Sequence, residues 1–207
     1  MMTEAEKALV GELYDANNDP ALVGGRLKTK QKLKAYNDTD PADMVSRTQQ
    51  LKALLGRTGA AVLIEQPFRC DYGTNIEVGE NFYANFNLVI LDANKVVIGD
   101  NVFIGPNVGL HTSGHPLDYA RRNLGLEYAR PISIGDNVWI GAGVNVMPGV
   151  KIGRNSIIGS GSVVTKDIPA NVVAGGVPCR VIKSIAHLNG EEADLPGVVP
   201  APLELHL

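Results

Sequence analysis

Apolar positions between residues 134 and 169 repeat every six residues. Each hexad opens on an aliphatic residue, and the openings are Ile134, Ile140, Val146, Ile152, Ile158 and Val164. The fifth positions are small or branched, and they are Val138, Val144, Val150, Ser156, Ser162 and Ile168. A helix repeats about every 3.6 residues and a strand every two, so neither element alone accounts for this period. The pattern predicts short extended segments joined by corners, three to a coil, with coils stacked about 4.8 Å apart.

Glycine is the second regular feature of these hexads. It follows the opening residue in four of them, at Gly135, Gly141, Gly153 and Gly159. This spacing indicates glycine-assisted corners. The same phase runs upstream through Ile98, Ile104 and Leu110, and more loosely through Val78, Ala84 and Ile90. We therefore predict a mainly β solenoid whose aliphatic residues point inward and pack coil on coil.

The first sixty residues lack the hexads and predict three helices, at about residues 3–14, 20–36 and 41–55. A Thr3–Glu6 capping box opens the first helix, and an Asp-Pro pair opens each of the others. This helical segment either packs on the sheet body as a simple cap or contacts a substrate.

Composition excludes several functional classes. A formal net charge of −3 without a basic run argues against a nucleic-acid partner. The apolar runs are too short to cross a bilayer. The segment from Met1 to Lys7 has no apolar signal core, which predicts a cytoplasmic protein. Cys70 and Cys179 lie far apart without a CxxC motif, so we interpret both as free packing cysteines.

Polar and aromatic residues interrupt the repeat at residues 69–73 and 81–86. Asp71 and Asp92 are suited to accept charge-assisted hydrogen bonds from sugar hydroxyls. Alternatively, Asp92 and Asn94 form only a turn where the repeat slips phase by two residues.

Between residues 111 and 133 the repeat pauses for a loop that contains His111 and His115. Loops carried by a rigid scaffold often hold the chemistry, although a lone loop histidine is commonly just solvated. Here Gly114 and Pro116 restrict the backbone on both sides of His115, which favours a positioned imidazole.

Cations gather where the repeat ends. Lys166, Arg180 and Lys183 lie beside glycine-rich backbone, a combination that suits a phosphate-bearing ligand or forms a solvated basic edge. Beyond them, residues 184–207 predict a loosely held tail, with His187 exposed and His206 uninformative.

Five motifs carry a resemblance to a known family. They are Asn-Phe-Tyr-Ala-Asn-Phe (81–86), Gly-His-Pro (114–116), Asn-Val-Trp-Ile-Gly (137–141), Val-Val-Thr-Lys-Asp (163–167) and Gly-Val-Pro-Cys-Arg-Val-Ile (176–182). With them the chain resembles the maltose/galactoside O-acetyltransferases, which are hexapeptide-repeat acyltransferases. The resemblance implies a left-handed parallel β-helix over residues 60–183. The loop 111–133 would carry His115, residues 1–59 would cap a sugar site, and residues 184–207 would form the tail.

The resemblance also implies roles for individual residues. His115 would be the catalytic base, and Asn85 would help to hold donor and acceptor together. The implied sugar contacts are Asp71, Tyr83, Asp92, Asn17 and Arg26. The implied acetyl-CoA contacts are Asn85, Trp139, Gly141, Ala142, Ser160, Thr165, Lys166, Arg180 and Lys183. The expected active unit is a homotrimer with sites between subunits, and no metal is expected to be required.

Four positions depart from the galactoside enzymes. Asp71 stands where the galactoside enzymes have Ser, and Ala93 and Asn17 each stand where those enzymes have Asp. Because these positions would contact the sugar, the identity of the acceptor stays open. Ala142 replaces a family Ser, although its backbone N–H can still serve an oxyanion.

A sugar hydroxyl is a poor nucleophile at neutral pH, so a base, an oxyanion donor and a site for both substrates are the minimum machinery. Histidine suits the base, because an imidazole with a pKa of about 6.5 is mostly neutral at pH 7. We predict direct attack in a ternary complex, with a backbone amide near residues 141–142 stabilising the oxyanion. Neither cysteine has an activating sequence neighbour, which argues against an acyl-enzyme.

Three alternatives stay open at this stage. One is a metal-dependent β-helix enzyme of the carbonic-anhydrase kind, with His111 and His115 as ligands. Another is a scaffold without catalysis. The third is a related acetyltransferase that acts on the hydroxyl of an amino acid or an antibiotic.

Overall fold

The chain folds into a β-solenoid of about six turns with a helical segment at its N-terminal end. The structure, a computed structural model, describes residues 2–185. The helices are α1 (Glu4–Val10), α2 (Pro20–Asp38), α3 (Met44–Leu54) and α4 (Tyr119–Asn123). The strands of the first half are β1 (Tyr14–Asp15), β2 (Val62–Ile64), β3 (Phe68–Cys70), β4 (Ile76–Val78), β5 (Phe82–Ala84), β6 (Leu88–Leu91), β7 (Val96–Ile98), β8 (Phe103–Ile104), β9 (Gly109–His111) and β10 (Ser113–Gly114). Those of the second half are β11 (Leu126–Ala129), β12 (Ile132–Ile134), β13 (Trp139–Ile140), β14 (Asn145–Val146), β15 (Lys151–Ile152), β16 (Ile157–Ile158), β17 (Val163–Val164), β18 (Val172–Gly175) and β19 (Arg180–Ser184).

Three parallel sheets form the walls of the solenoid. Their strand orders are β15-β12-β7-β4, β18-β16-β13-β8-β5-β2 and β17-β14-β9-β6-β3. Consecutive strands such as β2, β3 and β4 fall in different sheets, so three strands complete one coil. The second wall is extended by β19, which pairs antiparallel with β18 and closes the C-terminal end.

The hexads place the core where the sequence predicted it. All six opening residues and all six fifth positions are buried, from Ile134 at the start to Ile168 at the end. Ser156 and Ser162 are buried as well, and each hydroxyl donates to a backbone carbonyl of the solenoid. The other ten buried hexad residues are aliphatic, so the interior is a continuous apolar column.

The sequence predicted that the glycines after the hexad openings form the corners, but none of these four glycines takes the left-handed conformation. The left-handed residues lie instead at the fourth place of five hexads, and they are Asn137, Gly143, Gly149, Asn155 and Gly161, with φ between 55° and 85°. At Gly153 φ lies outside the left-handed region, but a Cβ there would stand 2.4 Å from the backbone nitrogen of Ala170 in the next coil. Glycine is therefore required at that position by the close approach of two coils.

Two helix boundaries differ from those predicted. The first helix ends at Val10 rather than near Tyr14, because Gly11 closes it with φ of 81° and Tyr14 pairs with Glu127 as a strand. The third begins at Met44 rather than after Asp40, since the carboxylate of Asp43 caps it. The second runs to Asp38 behind an Asp19 cap, close to the prediction.

Helices α2 and α3 cover the first coil. Leu51 and Leu54 are buried in the same core as the solenoid. Arg47 is 2 % exposed, and its guanidinium binds the carbonyl of Ile64 at 3.1 Å and the carboxylate of Glu65 at 2.7 Å. The cap is thus fixed to β2 by apolar packing and by a hydrogen-bonded ion pair.

Cys70 and Cys179 are free and buried, as predicted. In the part of the chain from residue 2 to residue 185, no helix is both long and apolar enough to cross a membrane. The predicted tail, apart from its first two residues, lies outside the described residues, as do His187 and His206.

Candidate functional site

The histidine loop forms a small sheet of its own. β11 pairs antiparallel with β10 on one side and with β1 on the other. The register sets Gly114 opposite Tyr128, and Asp15 opposite Leu126. The N-terminal segment and the loop between residues 111 and 133 therefore meet beside the solenoid, although they are far apart in sequence.

His115 is exposed at the end of β10, and its ring orientation is fixed by one hydrogen bond. Its Nδ1 lies 3.0 Å from the carbonyl oxygen of Leu126. A carbonyl only accepts, so Nδ1 carries the proton in the neutral imidazole. The other ring nitrogen, Nε2, is then the one with a lone pair available to take a proton.

A polar cavity of about 250 Å³ lies against this sheet. We call it the polar cavity, and its walls are Tyr14, Ala16, Asn17, Arg26, Asp71, Tyr72, Leu91, Ala93, Ser113 and Glu127. The guanidinium of Arg26 is held at its edge, 2.7 Å from Tyr72 Oη and 2.6 Å from the Ala16 carbonyl. Glu127 Oε2 accepts the Tyr14 hydroxyl at 2.7 Å. Cap, loop and solenoid all contribute to these walls.

Two aspartates beside the cavity have different positions. Asp71 lines it, and burial together with the charge of Asp92 raises the pKa of Asp71 to about 6. Asp92 is 0 % exposed, and its Oδ1 accepts the backbone N–H groups of Asp71 and Tyr72, each at 2.9 Å. Asp92 therefore lies behind the wall and orients it through these two backbone groups, and the sugar contact predicted for Asp92 stays a prediction.

A second cavity, of about 470 Å³, lies on the outer face of the sheet that contains β5, β8 and β13. We call it the aromatic cavity, and its lining residues are Tyr83, Asn85, Phe103, Ile104, Gly105 and Trp139. Strand register stacks Tyr83, Phe103 and Trp139 in one column, with Trp139 54 % exposed. Asn85 Oδ1 accepts the N–H of Phe86 at 2.8 Å.

One backbone amide beside the aromatic cavity is available as a donor. Gly141 N–H donates to the carbonyl of Ile158 at 2.8 Å, and Gly143 N–H donates to Pro106 at 2.9 Å. Among residues 2–185, the N–H of Ala142 between them donates to no other group. Gly105 leaves the Ala142 amide uncovered. A side chain at position 105 would crowd it, since a Cβ there would lie 2.7 Å from the Ala142 nitrogen.

The remaining predicted donor contacts lie on the last coils. Ser160, Thr165, Lys166, Arg180 and Lys183 are all exposed. Arg180 and Lys183 are both on β19, the edge strand that pairs antiparallel with β18. The sequence predicted that Lys166, Arg180 and Lys183 lie near one end of the stack, and the structure has them after the last hexad strand, β17.

His111 and the cysteines occupy other environments. His111 Nε2 lies 3.0 Å from Asn145 Oδ1, so this nitrogen is already occupied. Burial raises the pKa of the Cys70 and Cys179 thiols, which keeps them protonated. Across the described residues, no three His, Cys, Asp or Glu side chains converge in a way that could hold a metal ion.

The structure thus brings the predicted residues together in two groups. Asn17, Arg26 and Asp71 share the polar cavity, and Tyr83, Asn85 and Trp139 share the aromatic cavity. The two cavities have no lining residue in common. Sequence reasoning missed Tyr72, Ser113 and Phe103 as lining residues. For Phe103 a signal existed, because Tyr83, Phe103 and Trp139 each directly precede a hexad opening.

Known protein families match most parts of this architecture. Residues 7–59 match the maltose acetyltransferase hexapeptide capping motif, and residues 131–166 match the bacterial transferase hexapeptide in six repeats. Residues 95–114 match the hexapeptide repeat of succinyl-transferase.

Related proteins match nearly the whole chain. Galactoside O-acetyltransferase of Escherichia coli K12 is 47 % identical over 184 residues, which is 89 % of this chain and 90 % of the relative. The crystal structure of a maltose O-acetyltransferase from Clostridium difficile 630 superposes with a TM-score of 0.88 at 52 % identity, over 89 % of this chain and 98 % of that one. A galactoside acetyltransferase in complex with coenzyme A gives 0.87 at 46 % identity, over 90 % and 92 % of the two chains.

The solenoid and its capping segment define a hexapeptide-repeat acetyltransferase. The chain belongs to the maltose/galactoside O-acetyltransferase group of that class. The family and the enzyme class predicted from the sequence are thereby confirmed.

Proposed function

We propose that this enzyme transfers the acetyl group of acetyl-CoA to a hydroxyl of a maltose-, glucose- or galactoside-type sugar, in a ternary complex with His115 as general base. The observation that carries the proposal is the hydrogen bond between His115 Nδ1 and the carbonyl of Leu126. It leaves Nε2 as the basic nitrogen of a neutral imidazole, which is the state a general base needs. Ser113 and Glu127, close neighbours in sequence of His115 and Leu126, line the polar cavity.

The polar cavity is the proposed sugar site. Its volume of about 250 Å³ and its hydrogen-bonding walls suit one sugar ring. The carboxylate of Asp71 accepts hydrogen bonds from sugar hydroxyls, while Arg26 and Asn17 close the site from the side of the helical cap. Asp92 acts through Asp71, because its carboxylate holds the backbone of that residue.

The aromatic cavity is the proposed thioester site. Its apolar column of Tyr83, Phe103 and Trp139 suits the pantetheine arm of the donor. In the transition state the thioester carbonyl becomes an oxyanion, and the Ala142 N–H is the backbone donor available beside this cavity. Arg180 and Lys183, with Ser160, Thr165 and Lys166, bind the nucleotide end and its phosphates.

We infer a homotrimer in which each site is completed by two subunits. The exposed indole of Trp139 at the end of the aromatic column requires cover, and the two cavities share no lining residue within one chain. Packing the aromatic cavity of one subunit against the polar cavity of its neighbour joins both substrates in one site. Closed cyclic symmetry then repeats this contact three times.

An acceptor screen with thiol-release detection tests the proposal. The panel is glucose, maltose, alkyl galactosides, serine and an aminoglycoside, with acetyl-CoA as the common donor. We expect turnover with at least one sugar of the panel well above that with serine. Turnover restricted to a non-sugar hydroxyl would instead identify the related acetyltransferase that acts on amino acids or antibiotics.

A histidine variant tests the mechanism within the same assay. His115→Ala is expected to lower kcat by about 10²–10⁴-fold, because a positioned base contributes that much, while the Kd for acetyl-CoA stays within a few-fold. His111→Gln is the matched control, and we expect near wild-type kcat. Normal turnover in His115→Ala removes His115 from the mechanism.

A further inference from the structure

A third cavity, of about 580 Å³, is lined by α2 and by residues of β3 and β6. Neither the proposed sugar site nor the donor site uses it. Leu33, Val89 and Leu91 give it an apolar floor, and Lys30, Lys34 and Arg69 stand around the rim. We call it the basic cavity.

The basic cavity adjoins the proposed sugar site. Asp71 and Leu91 line both the basic cavity and the polar cavity, so the two spaces are separated by one shared wall. Lys30 lies close enough to this wall for its charge to act on the Asp71 carboxyl and partly oppose the rise of its pKa. A substituent on a sugar bound in the polar cavity can therefore extend past this wall into the basic cavity.

The charges of the two cavities differ in sign. In the polar cavity Asp71 and Glu127 outnumber the single guanidinium of Arg26, which disfavours an anion at the reacting end. In the basic cavity three cations outnumber two carboxylates, which are the shared Asp71 and Asp38. Asp38 is already paired with Lys34. Within residues 2–185 neither Lys30 nor Arg69 makes a salt bridge. Two cations over an apolar floor suit a flat or apolar group that ends in an anion.

We propose that the basic cavity is a subsite for the part of the acceptor remote from the reacting hydroxyl, and that this part is apolar and carries an anionic group. The natural acceptor class is then a glycoside with an acidic aglycone rather than a free neutral sugar. The inference rests on the proposed sugar O-acetyltransferase function and adds the chemistry of its acceptor.

Two pairs of nearly isosteric acceptors test this subsite. They are the 4-carboxyphenyl and the 4-carbamoylphenyl glycosides of glucose and of galactose, which differ only in charge at the remote end. At low salt we expect kcat/KM to be higher for the carboxylate by about fivefold, the size of a partly exposed charge pair. At 0.5 M salt the ratio should approach one, because the Debye length falls to about 4 Å.

Charge-removing variants locate the effect. Arg69→Met should lower the carboxylate-to-carbamoyl ratio toward one and leave kcat/KM for the carbamoyl glycoside unchanged. Lys30→Met should lower the same ratio when it is measured at pH 8, where Asp71, with a pKa of about 6, is ionised. Unchanged carbamoyl turnover also shows that the variants fold. Lys28→Met is the matched control, since Lys28 lies on the same helix outside the cavity lining, and it should retain the wild-type ratio.

The outcomes separate the two levels of the proposal. A wild-type ratio of one, with both glycosides acetylated, overturns the anionic subsite and leaves sugar acetylation standing. An equal loss of the ratio in Lys28→Met also overturns it, because the preference would then come from the general field of the helix. If neither glycoside and no sugar of the screen is acetylated, the proposed function and the subsite fail together.

Discussion

Asp92 holds Asp71 from behind the wall of the polar cavity, with Oδ1 of Asp92 accepting the backbone N–H of Asp71 at 2.9 Å. Oδ2 of Asp92 is buried and has no hydrogen-bond partner among the described residues. Burial raises the pKa of both carboxyls, and the charge of Asp92 adds to the rise at Asp71. The site thus keeps a carboxylate where ionisation is costly, which favours a role in ligand binding over one in stability.

Removing the Asp71 carboxyl should stabilise the protein at high pH. The pKa of Asp71 rises from 3.8 to about 6 on folding, so the folded state binds a proton that the unfolded state has released between these values. Stability from this group is full below pH 4 and is lost as pH rises through 6. Asp71→Asn should therefore raise the free energy of unfolding at pH 8 by roughly 1–2 kcal/mol, after allowance for solvent screening, and not at pH 4.

Urea unfolding at equal protein concentration measures this difference. The same variant should bind the sugar acceptor more weakly, because it loses a charged hydrogen-bond acceptor. A destabilised Asp71→Asn at pH 8 would show that Asp71 serves the fold rather than the ligand.

The close approach of the coils gives a matched pair of glycine variants. Gly153 and Gly159 occupy the same hexad position, but an added Cβ would meet Ala170 N at 2.4 Å in the first case and nothing nearer than 3.5 Å in the second. Gly153→Ala should lower the free energy of unfolding by about 1–3 kcal/mol through overpacking. Gly159→Ala should change it little. If the two variants change the free energy of unfolding equally in thermal or urea unfolding, the close approach of the coils is not the reason for glycine at position 153.

The cations of the last coils should act on the nucleotide end of the donor. Arg180→Ala is expected to raise the KM for acetyl-CoA by roughly tenfold, the loss of one charge-assisted phosphate contact. With a donor that lacks the 3′-phosphate the loss should shrink. Steady-state kinetics with both donors checks this, and an equal loss for both argues against a contact between Arg180 and that phosphate.

The repeat determined how much of the fold was predictable. The period of six correctly predicts that the hexad openings from Ile134 to Val164 are buried, because burial in a solenoid depends on position within the coil. The reason for the glycines was not predictable, since the contact between Gly153 and Ala170 appears only when coils are stacked. The predicted helix end was wrong where a residue distant in sequence sets the structure. Tyr14 pairs with Glu127 as a strand and so does not belong to the first helix.

The candidate site was predictable in its residue types more than in its geometry. His115 and Asp71 stand out in sequence as polar interruptions of the repeat. Their partners do not, because the carbonyl of Leu126 and the carboxylate of Asp92 become neighbours only through the loop and the coil turn. Asp92 shows the limit most clearly, since its complete burial and its two backbone partners appear only in the folded chain.

Mixing two inactive variants tests most directly whether His115 and the aromatic cavity of a neighbouring subunit form one site. His115→Ala and Asn85→Ala homo-oligomers should each be nearly inactive. When the two are unfolded and refolded together in equal amounts, random assortment in a trimer makes about a quarter of the inter-subunit sites intact. We expect recovery of about a quarter of wild-type activity in the mixture. No recovery from refolded trimers that contain both variants would contradict it, because each site would then lie within one chain.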